Sequence, residues 1–222
     1  AVLPPVMGRD AARADEPAAD GTERLQRFER EEPHMGVSFK FLFYASDETI
    51  ANKAAKAAFA RIAQIDAAMS DYDPESELSR LSQTSGSGRK VRVSDDLWLV
   101  LLLAREFSDR SGGAFDVTVG PYVKLWRTAR RTGKLPSDDD LKRAGEGAGY
   151  KMIEMDRKTR SVELTGKNMR LDLGGIAKGY AADEALKMLR RFGVPRALVE
   201  ASGDIAVGDP PPGKDGWRVG VA

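Results

Sequence analysis

The amino-acid sequence predicts an α+β fold, a mixed or antiparallel sheet with helices packed against it. Three observations carry this. Strand-like runs meet across short polar turns, as Met152–Met155 and Val162–Leu164 do across Asp156-Arg157-Lys158-Thr159. Longer stretches between them carry apolar residues at helical spacing. Strands that meet in hairpins, with no internal repeat, argue against a doubly wound parallel sheet. At 222 residues the chain suits one domain with a real core.

Each element follows from its residues. Residues 1–32 read as a disordered tail or linker, because Ala11 to Asp20 holds no large apolar residue to offset the entropy of ordering. The ordered domain is expected over 33–222. Val37 to Tyr44 is aromatic-rich and reads as a strand. Ser46 caps a helix from about Asp47 to Met69, with Ile50, Ala54, Ala58, Ile62, Ile65 and Met69 on one face. A turn from Ser70 leads into a short helix ending near Leu81, Ser85 to Gly88 form a loop, and Val91 and Val93 mark a brief strand. Ser94 caps a strongly apolar helix from Asp95 to about Asp109, expected to be buried on most sides and stopped by Ser111-Gly112-Gly113.

Asp116 is expected at the start of a strand, followed by a helix containing Leu125 and Trp126. Ser137 and Asp140 resemble a capping box for a helix over 138–144. Beyond the 152–164 hairpin, Met169–Leu173 reads as a strand, and Gly174-Gly175 turns it into a helix from about Ala177 to Phe192 with Gly193 as its C′ residue. Ala197 to Glu200 is another strand. Ile205 to Val207 and Trp217 to Val221 read as a last hairpin. The chain stops at Ala222 inside that strand, so it reads as C-terminally incomplete, the front part of a longer protein.

Composition excludes several chemistries. Lys and Arg total 35 against 34 Asp and Glu, which leaves +1 and no general reason to expect nucleic acid as a partner. No run of about 18 apolar residues occurs. Cys is absent, so disulfides, thiolate metal sites and Cys nucleophiles are out. The single His34 rules out a His-rich metal site, and it reads as an uncommitted surface residue.

The strongest local signal is Leu171 to Asp183, where a strand enters, two glycines turn and a helix leaves. Backbone N–H groups at a helix start can hold an anion; Lys178 can add positive charge and Asp172 can bind a polar ligand atom. The same segment also reads as a plain strand-to-helix turn with a surface Lys. Its Gly-Gly-x-x-x-Gly spacing matches neither the dinucleotide fingerprint nor the Walker loop. Asp116 offers a carboxylate, or is a turn residue. Tyr72 offers a ring for stacking, or packs at a loop edge. Ser202-Gly203-Asp204, at the end of a strand, offers a ligand loop but reads best as a simple turn. Lys124, Arg127, Arg130, Arg131 and Lys134 read as a solvated helix face without the aromatic interleaving of a nucleic-acid surface.

Five segments in this order, Met35-Gly36-Val37-Ser38-Phe39, Ser70 to Leu81, Gly113 to Pro121 with Leu125-Trp126, Leu171 to Asp183, and Ala197 to Asp204, resemble the ApbE family. These are the FAD:protein FMN transferases, formerly called thiamine biosynthesis lipoproteins. The resemblance covers roughly 33–222 and implies an ApbE-like fold. It implies FAD as substrate, Mg²⁺, transfer of FMN to a Thr hydroxyl of a flavin-acceptor protein, and release of AMP. It implies FAD contacts from Met35, Tyr72, Ala114, Phe115, Asp116, Asp172 and Lys178, and a main-chain carbonyl at Gly175 for the metal.

No catalytic residue is assigned. The family's His-x-Ile-Asp-Pro segment and its later Asp/Thr pair are not in this sequence, so the isolated chain is expected to bind metal poorly and to catalyse little. Ser202-Gly203-Asp204 departs slightly from the family's Gly-Gly-Asp. The resemblance also implies a periplasmic or cell-envelope location, with membrane contact only through an N-terminal anchor. Two other readings stay open. One is an FAD-binding or FAD-hydrolysing module without flavinylation, and the other is a structural or interaction protein that has lost the site.

Overall fold

The computed structural model describes residues 24–220, so residues 1–23 of the tail expected over 1–32, and the last two residues, lie outside the described residues. A four-stranded sheet of β1 (Gln26–His34), β2 (Val37–Ala45), β6 (Ala197–Ala201) and β7 (Asp204–Val207) runs in the order β1-β2-β6-β7, with every pair antiparallel. The α+β expectation holds. In β2, Phe39, Phe41 and Phe43 alternate onto one face and are at most 1% exposed. Burying each contributes about 1.5–3 kcal/mol relative to leaving it in water. That face packs on α1 (Glu48–Met69), where the rings of Phe41 and Phe59 stack with centroids 4.0 Å apart.

Helix α1 also lies along α6 (Ala177–Arg191). Both carry buried small residues, Ala51, Ala54, Ala55 and Ala58 on one and Ala181, Ala182 and Ala185 on the other. Alanine permits close backbone approach while keeping high helix propensity. A second, three-stranded antiparallel sheet has the order β3-β5-β4, from β3 (Val91–Arg92), β4 (Ile153–Asp156) and β5 (Ser161–Leu164). Helix α2 (Glu77–Ser82) packs on β5 and Arg105 of α3 (Asp95–Arg110) donates to the Ile153 carbonyl of β4, while α4 (Gly120–Thr132) and α5 (Asp138–Glu146) pack on each other. The expected caps form at Ser94 and in the Ser137/Asp140 capping box.

Two hairpin tips place the site. Met35-Gly36 joins β1 to β2 with φ of 51° and 74°, and Ser202-Gly203 joins β6 to β7 with φ of 51° and 97°. Positive φ at both central residues gives the tight turn whose twist matches paired strands. Phe39 pairs with Ala201, so both tips project from the same end of the sheet.

Several expectations change. Gln26–His34 is a strand rather than part of a tail, which moves the ordered boundary back. It is an edge strand rich in Arg and Glu with only Phe28 buried, so it carries no alternating apolar signal and depends on β2 for its pairing. Asp47, not Ser46, caps α1, its Oδ1 accepting from Ile50 N–H at 2.9 Å, and Ile50 is exposed while the rest of the expected face is buried. Helix α3 exposes Leu99 and Phe107. Asp116 stands in a turn, not at a strand start. Met169–Leu173 is extended but joins neither sheet; a single parallel bridge pairs Val119 with Arg170.

β7 pairs with β6, so the hairpin expected between Ile205–Val207 and Trp217–Val221 does not form. Trp217 instead donates Nε1–H to the Asp209 carbonyl at 3.0 Å, and Val221 lies outside the described residues. His34 is not an uncommitted surface residue. Its ring stacks on Phe59 at 5.9 Å and its Nε2 is buried.

Candidate functional site

A cleft of about 520 Å³ opens at the sheet end where the Met35-Gly36 tip meets the last turn of α1 and the first turn of α6. Met35, Gly36, Asp66, Tyr72, Arg127, Asp172, Gly174 and Lys178 line it. The Met35 N–H donates to Asp66 Oδ2 at 2.8 Å, which ties the first tip to α1. After α1 the chain turns at Ser70, whose Oγ accepts from the N–H groups of Tyr72 and Asp73 at 3.3 Å. This places Tyr72 at the rim, 77% exposed. A second hollow of about 490 Å³ lies on the other side of Asp71 and Tyr72, walled by Pro74, Ser82, Met169 and Arg170.

Arg127 reaches in from α4. Its guanidinium binds the Asp71 carboxylate, contacts Asp172 Oδ2 at 3.4 Å and lies 4.1 Å from the centroid of the Tyr72 ring. Burial works against the charge on Arg127, but the Asp71 carboxylate outweighs it and the pKa is raised. Asp172 divides its oxygens, Oδ1 accepting from Gly174 N–H at 2.8 Å while Oδ2 faces Arg127. Lys178 pairs with Asp204 Oδ2 at 2.8 Å, so the second hairpin tip holds the lysine in place.

The Gly174-Gly175 turn is tightly fitted. A Cβ on Gly175 would lie 3.3 Å from Phe115 Cε2, and one on Gly174 would lie 3.0 Å from Asp172 Oδ1. The N–H groups of Ile176 and Ala177 both donate to the Leu173 carbonyl. Those of Gly175, Lys178 and Gly179 donate to no carbonyl among the described residues, which leaves donors at the helix start where an anion is favoured.

The expected site residues therefore fall into two groups. Met35, Tyr72, Asp172 and Lys178 share the cleft, with Gly175 exposed at its edge. Ala114, Phe115 and Asp116 lie behind the turn. Asp116 Oδ1 accepts from the Thr118 N–H and hydroxyl at 2.7 and 2.6 Å, and Oδ2 accepts from Tyr150 N–H at 2.9 Å. Asp172 N–H donates to the Val117 carbonyl at 2.8 Å, which fastens this block to the turn. Among the described residues, no group of three or more His, Cys, Asp or Glu could hold a metal ion. The described side chains do not by themselves fit Mg²⁺.

The ApbE family model matches residues 35–222. The chain belongs to the ApbE family. Two similar proteins are the FAD:protein FMN transferases of Treponema pallidum and Haemophilus influenzae. The first is 29% identical over 83% of this chain and 52% of its own length, and the second 30% over 84% and 56%. This ApbE chain thus spans about half the length of the curated relatives it matches. The crystal structure of the ApbE protein from Thermotoga maritima superposes with a TM-score of 0.79 at 30% identity, covering 89% of this chain and 63% of that one. The flavin transferase ApbE from Vibrio cholerae, at 24% identity, shares the fold with a TM-score of 0.79, over 89% of this chain and 64% of that one.

Sequence reasoning missed Arg127, Asp71 and Asp66 in this ApbE cleft, and at Asp204 it preferred a simple turn to a ligand loop. Arg127 shares one face of α4 with Lys124, Thr128 and Arg131, which line a shallower hollow beside Arg170. Nothing in their spacing separates the arginine that enters the cleft from those that do not.

Proposed function

We propose that the complete protein is a Mg²⁺-dependent FAD:protein FMN transferase, and that this chain supplies its dinucleotide-binding part. In this reading the FAD pyrophosphate P–O bond breaks, the Thr hydroxyl of an acceptor protein gives up its proton to solvent and bonds the FMN phosphorus, and AMP leaves with the bridging oxygen. The observation that carries it is the cleft itself, where an exposed aromatic ring, the Lys178 cation and the N–H groups left over at the start of α6 come together. Such a set suits a planar ring joined to a diphosphate. The two hollows that meet at Tyr72 suit a ligand with a ring system at each end.

Phosphoryl transfer depends mainly on positioning and charge stabilisation. Asp172 orients the turn and Arg127, while Lys178 stands where phosphate charge would gather. Phe115 and Asp116 set the back of the turn rather than its open side. The metal's role would be to neutralise diphosphate charge, and Gly175 offers one carbonyl oxygen. Its other oxygens would come from the diphosphate, from water and from residues other than those described. We place the protein in the periplasm or cell envelope on the family resemblance alone.

The test uses the complete protein with FAD, Mg²⁺ and a Thr-bearing acceptor. Covalent flavin is read by fluorescence in a denaturing gel, and AMP by chromatography. The wild type should label the acceptor and release AMP, and Asp172→Ala should do neither. Normal labelling by that variant would overturn the role of Asp172. AMP release without any labelled acceptor would favour a hydrolase, and absence of FAD binding would remove the whole reading.

A further inference from the structure

We propose that Arg127 is a positioning residue that holds the Tyr72 ring as a preformed stacking platform; this rests on the FAD-binding reading above. Tyr72 sits on a loop and is 77% exposed, and a ring so placed is ordinarily free to change rotamer. Ordering it on binding would cost affinity. The Arg127 guanidinium covers one face of the ring at 4.1 Å and leaves the other open. A flat cation over an aromatic face is attracted by the ring quadrupole.

The arginine is itself fixed from two sides. Asp71, the neighbour of Tyr72, binds it, and Asp172 meets it across the cleft. Arg170 donates to the Asp71 main-chain carbonyl, so the residue before the platform is anchored as well. Lys124 and Arg131, on the same helix face, form no ion pair among the described residues, which sets Arg127 apart from its basic neighbours. A lysine could supply the charge but not the planar fork that meets a carboxylate and a ring together.

The experiment measures FAD affinity of the complete protein by calorimetry for wild type, Tyr72→Ala, Arg127→Met, Arg127→Lys and the double variant Tyr72→Ala/Arg127→Met. Loss of a stacked ring is expected to weaken binding about tenfold in Tyr72→Ala, and loss of its support about fivefold in Arg127→Met. Arg127→Lys should stay about threefold weak, because charge alone does not rebuild the platform. Without Tyr72, the Arg127→Met change should add less than about twofold, since its effect runs through the ring. Asp71 and Asp172 are each only 12% exposed, so Arg127→Met should also lower the melting temperature by several degrees, whereas Arg127→Lys, which keeps the charge, should move it by less than about 2 °C.

A full fivefold further loss in the Tyr72→Ala background would show that Arg127 meets the ligand directly, and would overturn the positioning role. So would wild-type affinity in Arg127→Lys, or an unchanged affinity in Arg127→Met. If Arg127→Met failed to fold, Arg127→Lys paired with Tyr72→Ala would give the same comparison. A wild-type protein that binds no FAD overturns both this role and the reading beneath it, whereas wild-type binding with multiplying losses overturns this role alone.

Discussion

Two places in the molecule use the same set of groups, an arginine between two carboxylates with a tyrosine beside it, and they differ in where the tyrosine points. At the junction of α1, α3 and α6, Arg61 binds Asp96 Oδ2 at 2.7 Å and Glu184 Oε2 at 2.7 Å, and the Tyr180 hydroxyl donates to Asp96 Oδ1 at 2.6 Å. Tyr180 is only 9% exposed. At the cleft, Arg127 contacts Asp71 and Asp172, but Tyr72 offers its ring face and remains open to water. In the first place every polar atom is spent on holding three helices together. In the second, the ring is left open. The comparison teaches that such an ion cluster closes on itself when its aromatic member is satisfied within it, and leaves a ring face open to water when that member is not.

The sharpest way to break this comparison is to remove the structural arginine. Arg61→Met leaves two partly buried carboxylates without their partner, a situation that typically costs about 3 kcal/mol. Urea unfolding should show that loss. FAD affinity of the remaining folded protein should stay within about twofold of wild type, whereas Arg127→Met should weaken it about fivefold. A large affinity loss with unchanged stability would erase the distinction.

Deleting the two hydroxyls sharpens it. Tyr180→Phe removes a donor to a charged acceptor and should cost about 1.5 kcal/mol of stability. Tyr72→Phe keeps the ring and should cost less than about 0.5 kcal/mol while preserving FAD affinity. Equal costs at the two sites in denaturant titrations would contradict the difference drawn here.

The smallest effect is on acid stability. The Arg61 hydrogen bonds, aided by Tyr180, hold Asp96 below its ordinary value. For Glu184, burial pushes upward, but Lys187 and Arg61 outweigh it and the pKa falls. Carboxylates with depressed pKa values stabilise the fold fully above their unfolded values, 3.8 for Asp and 4.5 for Glu, and lose that contribution as pH falls through the folded ones. Stability should therefore decline below about pH 4.5. Asp96→Asn should flatten this decline, measured as the urea midpoint against pH. An unchanged slope would place the acid sensitivity elsewhere.

Much of the fold was legible because local signals stated it. The phenylalanine alternation of β2, the Ser94 and Ser137 caps and the alanine-rich stripe of α1 each depend on residues a few positions apart. Strand β1 was not legible, because a charged edge strand has no pattern of its own. Met169–Leu173 misled in the opposite sense. Its apolar alternation is real, with Met169, Leu171 and Leu173 all buried, but it packs beneath the cleft instead of joining a sheet.

For the site, residue identity pointed to Tyr72, Asp172 and Lys178, because an exposed aromatic and a glycine turn between an acid and a base carry recognisable chemistry. The sequence by itself determined the α+β class, the family resemblance and the turn at Gly174-Gly175. Only the tertiary structure decided that Arg127 rather than Arg131 enters the cleft, that Asp204 holds Lys178, and that Asp116 spends its oxygens behind the turn. The physical reason is distance along the chain. Caps and alternation are settled by neighbours, whereas Arg127 meets Asp71 across 56 positions and Asp172 across 45, so their pairing exists only once α4 has docked.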